Sequence, residues 1–199
     1  MESLNQAYWN QQYEQGNTGW NIGTVSTPLK SYFDQLTHKN LSILIPGGGN
    51  GHEAEYLLSL GFTNISILDI APKAIAALEV RFEGQIGKTL HLILGDFFDH
   101  LGQYDLIIEQ TFFCALDPSL RQAYVEKMAA LLSNNGRLSG LLFDAQFPVG
   151  PPFGGNKQEY QDLFSTHFNF KKLAPCYNSI PQRMGNECFI IATKKQADF

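Results

Sequence analysis

Three glycines at alternate positions, Gly47, Gly49 and Gly51, follow an apolar run in "ILIPGGGNGHEAEYL", and Glu53 stands two residues past the last of them. Glycine lets a backbone come close to a ligand, and a turn of this kind at a strand end is where open α/β sheets take nucleotides. Asp69 closes the next apolar stretch, 20 residues after Gly49, where an acid can accept from both hydroxyls of a ribose. The dinucleotide fingerprint G-x-G-x-x-G would need glycine at position 52, and this chain has His52. Glu53 falls in the first turn of the next helix, where a pyrophosphate would sit, and its charge would compete for the same amides and dipole. A ligand with ribose, adenine and a cationic amino-acid end, but no phosphate, avoids that conflict. S-adenosylmethionine fits. The plainer reading of Glu53 is a charge that complements the helix dipole.

One apolar run further on comes "GDFF", with Asp96 set to accept from an adenine amino group and Phe97 to lie against the ring. Alone, this would pass for a loop aspartate before core phenylalanines; one strand beyond Asp69 it reads as part of the same site. The histidines give no clear base. His52 follows the glycine turn, His91 sits inside a strand pattern, and His38, His100 and His167 lie in loops or helix ends. A structural role is the default for each.

These residues need a frame. Short apolar runs at 41–46, 65–70, 90–95, 104–110 and 136–144 read as strands, separated by helical patterns. Pro72 suits a first helical turn before Ile75, Leu78 and Phe82, and Pro118 opens a further helix that "NNG" closes. Strands alternating with helices predict an α/β, doubly wound, mostly parallel sheet. The tail, "FNFKKLAPCYN" and "ECFIIATKK", carries two strands with no helix between them, hence an antiparallel edge. The first 40 residues stand outside the alternation. Trp9 and Tyr13 share one face of a helix, Trp20 follows the turn-like "GNTG", and the segment reads as a lid over the cofactor.

In order along the chain, "YWNQQYEQGNTGWNIG", "LIPGGGNGHEAEYL", "LDI", "GDFF", "YDLIIEQTFFCALDP", "GPPF" and "IPQRMG" resemble the thiopurine S-methyltransferase family, above all its thiol and halide methyltransferase members. The resemblance spans nearly the whole chain. It implies one Rossmann-like class I methyltransferase domain over 1–199, with a lid over 1–40 and a core over 41–199. The sheet would have seven strands, the last antiparallel. It implies S-adenosylmethionine as cofactor and S-adenosylhomocysteine as product. Trp9, Tyr13, Trp20, Gly47, Gly49, Asp69, Asp96, Phe97 and Gln110 would hold it. Tyr13 and Gln110 stand where relatives tend to have tryptophan and tyrosine.

The acceptor pocket is expected to be apolar, so that a soft anion is desolvated and reactive. "FFCAL" and "GPPF" offer Phe112, Phe113, Cys114, Pro151, Pro152 and Phe153 as its wall, Cys114 as a wall residue and not a nucleophile. Arg183 is the cation that would steer an anion inward, with a plain surface role as its alternative. The expected reaction is methyl transfer to a thiol, hydrosulfide, thiocyanate or halide, by in-line displacement and with no catalytic residue supplied as a base. The competing readings are an oxygen or nitrogen acceptor, a nicotinamide-dependent oxidoreductase, and an inactive S-adenosylmethionine-binding regulator.

Composition bounds the partners. A net charge of −5 argues against nucleic acid. No apolar run reaches the length of a membrane span, and the amino terminus lacks the basic and then apolar pattern of a signal peptide. Cys114, Cys176 and Cys188 are odd in number and widely spaced, so neither a disulfide framework nor a metal is expected. A cytoplasmic monomer acting on a small molecule is the expectation.

Overall fold

Apolar runs flanked by glycine, proline and polar residues set the strands, and a computed structural model describes residues 4–196. Its strands are β1 (Ile43–Pro46), β2 (Ile65–Asp69), β3 (Leu90–Leu94), β4 (Tyr104–Gln110), β5 (Leu132–Phe143), β6 (Phe168–Pro175) and β7 (Glu187–Lys194). They form one seven-stranded sheet in the order β3-β2-β1-β4-β5-β7-β6. Helices α1 (Gln6–Gln15), α2 (Thr27–Phe33), α3 (His52–Ser59), α4 (Pro72–Arg81), α5 (Arg121–Leu131) and α6 (Lys157–Phe164) fill the gaps. This is the seven-stranded sheet that the resemblance implies, with β7 antiparallel. No helix among the described residues is long and apolar enough to cross a membrane.

Contacts gather in two compact units, divided between His100 and Leu101. In the first, β1 and β3 pair in parallel on either side of β2. Every residue of β1 and β2 is buried, as strands covered on both faces must be. Burying each of Ile43, Leu44, Ile65 and Ile67 contributes about 1.5–3 kcal/mol. Pro72 begins α4 as expected, where its missing N–H costs nothing. The first 40 residues divide. Pro28, Leu29 and Phe33 of α2 are buried in the core, whereas α1 buries no residue. Instead α1 reaches α4 by a cap: Asn10 Oδ1 accepts from the Lys73 N–H at 2.8 Å, a helix-end donor otherwise without an intrahelical partner.

In the second unit β4 and β5 run parallel, and β7 is antiparallel to both β5 and β6. Two points depart from the expectation here. "NNG" does not close a helix, because α5 passes straight into β5 at Leu132. Between Tyr104↔Leu132 and Leu106↔Arg137, β4 advances two residues and β5 five, so "SNNG" is an irregularity inside the strand. Gly136 is needed there because a Cβ would lie 2.8 Å from the Tyr104 carbonyl oxygen. The antiparallel edge expected of the tail is present: β7 and β6 pair antiparallel as the last two strands of the sheet, with β6 at the border. Finally, α6 has no counterpart among the expected helices; Asn156 caps it by accepting from the Glu159 N–H, and Tyr160 and Phe164 bury its inner face.

Candidate active site

In the first unit the chain leaves β1 through Gly47, Gly49 and Gly51, all in the left-handed region (φ 59°, 51° and 75°) that side chains rarely adopt. Asp69, at the end of β2, is 6% exposed, and its two oxygens tie this turn down. Oδ2 accepts from the Gly49 N–H at 3.1 Å and Oδ1 from the Ala71 N–H at 2.9 Å. Each carboxylate oxygen has two lone-pair sites, so one bond apiece leaves acceptor capacity for a pair of hydroxyls. Burial raises the Asp69 carboxyl above the ordinary range, and the backbone N–H groups pull it back.

Aromatic rings from the amino-terminal segment stand over the glycine turn. Trp20 meets Trp9 and Tyr13 edge-on, each at 5.6 Å between ring centroids. A Cβ on Gly49 would lie 3.0 Å from the Tyr13 hydroxyl and 3.9 Å from Trp20 Nε1. The Tyr13 hydroxyl is pushed up, first by burial and then by the Asp69 charge, so it stays a protonated donor. Trp9, Tyr13, Trp20, Gly47, Gly49 and Asp69 are thus brought together. A cradle only glycine fits, an anchored carboxylate and aromatic walls suit a nucleoside carrying a cation.

The other cofactor residues are placed less uniformly. Asp96 is exposed, and its Oδ1 accepts from the Phe98 N–H at 2.8 Å. Phe97 is only 4% exposed and meets Phe98 edge-on, so most of its ring is already covered by protein. Glu53 is 7% exposed in the first turn of α3, where its charge complements the helix dipole. His52 lies in a polar cluster: Nε2 is 2.9 Å from Asn21 Oδ1, and Arg81 reaches its Nδ1, Glu55 and the Asn50 carbonyl. Burial and the Arg81 charge lower its pKa, which keeps the ring neutral and structural.

In the second unit, β4 ends in Glu109 and a half-buried Gln110. The next residue, Thr111, has φ 58°, the single non-glycine positive φ among the described residues. For a β-branched residue that is strained by about 1–3 kcal/mol. Past it, Phe113 and Cys114 are buried, and Phe112 is half-buried. Thr111, Phe113, Cys114 and Leu141, Leu142 and Phe143 of β5 wall a small cavity, with Glu109 and Glu187 as its polar lining. The room inside is little more than a water-sized occupant needs. Burial raises the Cys114 thiol well above its ordinary range, so it is a protonated wall residue.

Arg183 stands beside this cavity: its Nη1 is 3.4 Å from Glu187 Oε1 and its guanidinium lies over the Phe143 ring at 5.4 Å. The "GPPF" loop is joined to the wall where the Phe153 N–H donates to the Cys114 carbonyl at 2.6 Å. Phe153 and Pro151 are half-buried, but Pro152 is exposed. Two further residues, Glu109 and Glu187, escape the sequence reading. Glu109 is 1% exposed and accepts from the Phe112 and Phe113 N–H groups at 2.8 and 3.0 Å and from the Tyr124 hydroxyl at 2.5 Å. Burial pushes its carboxyl up to about 7. Glu187 is the other buried acid. The one available signal was an acid inside an otherwise apolar strand, "DLIIEQ".

Residues 4–193 match the family model described as Thiopurine S-methyltransferase (TPMT). The chain is 26% identical over 203 residues to a thiopurine S-methyltransferase of Acinetobacter baylyi, covering 90% of this chain and 92% of that one. It is 29% identical over 192 residues to thiocyanate methyltransferase 1 of Brassica oleracea, covering 94% and 84%. In fold it is similar to the 1,6-didemethyltoxoflavin-N1-methyltransferase of Burkholderia thailandensis, solved with bound 1,6-didemethyltoxoflavin and S-adenosylhomocysteine. The TM-score is 0.75 at 17% identity, over 96% of this chain and 87% of that one.

Proposed function

The chain belongs to the thiopurine S-methyltransferase family, and from that premise we propose that its methyl acceptor is a small soft nucleophile: a thiol, hydrosulfide, thiocyanate or halide. The enzyme is an S-adenosylmethionine-dependent methyltransferase acting on a small molecule, which leaves no place for the nicotinamide reading. When bound, the cofactor supplies an electrophilic methyl group on a sulfonium. Asp69 would take its ribose hydroxyls, Gly47 and Gly49 its close approach, and the rings of Trp9, Tyr13 and Trp20 its cationic end, with Asp96, Phe97 and Gln110 as further contacts.

The observation that carries the acceptor reading is the lining of the cavity beside Thr111. Its walls are mostly apolar, which suits a polarisable and weakly hydrated acceptor better than a strongly hydrated one. Arg183, beside Glu187 at the same cavity, is the cation that would attract an anionic acceptor. Of the residues proposed for the wall, Phe113 and Cys114 line the cavity, and Phe112, Pro152 and Phe153 are proposed to flank it. Three donors hold Glu109 in the cavity wall, and this reading asks no proton transfer of it as a base. An anionic acceptor needs none. Three buried free cysteines agree with a reducing, cytoplasmic setting.

The test is a panel of iodide, thiocyanate, hydrosulfide, an aromatic thiol, a phenol and an amine, each with methyl-labelled cofactor and analysis of volatile and dissolved products. Label should appear on the small soft acceptors first. Label on the phenol or the amine alone would replace this reading with an oxygen or nitrogen specificity, and no transfer to any acceptor would favour a regulator.

A further inference from the structure

We propose that Glu109 is the positioning residue of the acceptor site: its carboxylate clamps Phe112, Phe113 and Tyr124 and so holds strained Thr111 in the cavity wall. The clamp is read directly from the bonds. One oxygen accepts from two successive backbone N–H groups, Phe112 at 2.8 Å and Phe113 at 3.0 Å, and the other accepts from the Tyr124 hydroxyl of α5 at 2.5 Å. Thr111 lies between the clamp's base on β4 and those two amides, at φ 58°. A β-branched residue keeps such a backbone only where its surroundings over-determine it. The carboxylate supplies that constraint from one side and ring packing from the other. Phe113 meets the Tyr124 ring at 4.9 Å and the Tyr160 ring at 5.7 Å, both edge-on.

Gly140 makes room for the arrangement. A Cβ there would lie 2.2 Å from the Glu109 carbonyl oxygen and 2.5 Å from its Cβ, so β5 carries glycine where it passes the clamp. The result is a wall whose shape depends on one buried acid, itself part of the polar lining. Thr111, Phe113 and Cys114, the wall residues the clamp fixes, line the cavity. A carboxylate used in this way is a support for acceptor binding and leaves the cofactor cluster around Asp69 untouched.

The proposal rests on the acceptor reading above only for its kinetic arm, so the first arm is independent of any acceptor. Amide hydrogen exchange is measured over residues 109–116 in the wild type, Glu109→Gln, Thr111→Gly and the double variant. At a pH above the Glu109 value of about 7, where the group is a carboxylate, glutamine keeps the shape but turns charge-assisted bonds into neutral ones, so exchange at Phe112 and Phe113 should quicken about tenfold. Glycine takes a positive φ without strain, so the same Glu109→Gln change made beside Thr111→Gly should have a much smaller effect, a non-additivity expected of residues acting together.

In the kinetic arm, the acceptor from the panel with the fastest turnover should show a KM raised about fivefold or more in Glu109→Gln, while cofactor affinity stays within about twofold. Should Glu109→Gln fail to fold, Tyr124→Phe removes one of the three donors and should move both readouts the same way, by less. Unchanged exchange at Phe112 and Phe113 in a folded Glu109→Gln protein would overturn the proposal. So would equal losses of cofactor and acceptor binding, or an undiminished effect beside Thr111→Gly. The expected quickening of exchange in the variants, with no acceptor methylated, would instead leave the clamp standing and count against the acceptor reading.

Discussion

Asp69 and Glu109 are both buried acids at strand ends, yet only one was legible in the sequence. Asp69 stands a fixed distance beyond a glycine turn, and that spacing has a physical cause: the end of the second strand lies beside the turn after the first, where the Gly49 N–H meets it. Asp69→Ala should therefore weaken S-adenosylmethionine binding by roughly 1.5–3 kcal/mol, measured by calorimetry, as expected on losing a charged acceptor. Normal binding would remove Asp69 from the site. Glu109 has no spacing partner; its donors are backbone amides and a tyrosine on a helix, which no motif encodes. Its carboxyl is raised from the ordinary value near 4.5 to about 7 by burial. A raised folded-state pKa means stability that is full below the unfolded value and lost as pH rises through the folded one. Chemical denaturation should thus show the wild type losing roughly 3 kcal/mol relative to Glu109→Gln between about pH 4.5 and about pH 7. Parallel curves for the two proteins would show that Glu109 does not titrate there.

At the scale of elements, the strands were the most legible part, since β1, β2 and β4 are near-continuous apolar runs whose ends the sequence marks with glycine, proline or acid. The misreadings lie where tertiary contact overrides local signals. "SNNG" looks like a turn and is an irregular part of β5, because the strand must come close to Tyr104. α6 has a cap and two buried aromatics but too short a pattern to stand out. The amino-terminal segment divides at a point the sequence does not mark: α2 is core, and α1 is held by ring contacts, by Asn10 and by no buried side chain. As a lid, α1 with the Trp20 loop should be the first place a protease cuts, before residue 24, and S-adenosylhomocysteine should slow that cut selectively. A chain beginning at Thr24 keeps α2 whole, so it should fold and lose most of its cofactor affinity. If it unfolds, the aromatic trio belongs to the core; if it binds normally, the segment is no lid.

For the molecule as a whole, the decisive features are an acidic chain, a family fold, and the cavity proposed for the acceptor, lined by two buried acids with one guanidinium beside it. An acceptor that arrives as an anion needs no protein base, whereas a thiol must first lose its proton. This difference makes the pH dependence of rate, measured side by side for iodide and a thiol with saturating labelled cofactor, the most direct test of the account. From about pH 6 to about pH 9 the thiol rate should climb toward the thiol's own pKa, because the thiolate is the nucleophile. Iodide should show no climbing limb over the same range. As Glu109 becomes anionic it can only weaken an anion's hold, so the iodide rate should stay level or fall. An iodide rate that climbs in step with the thiol rate would reveal a titrating protein base and contradict the base-free transfer proposed for this enzyme.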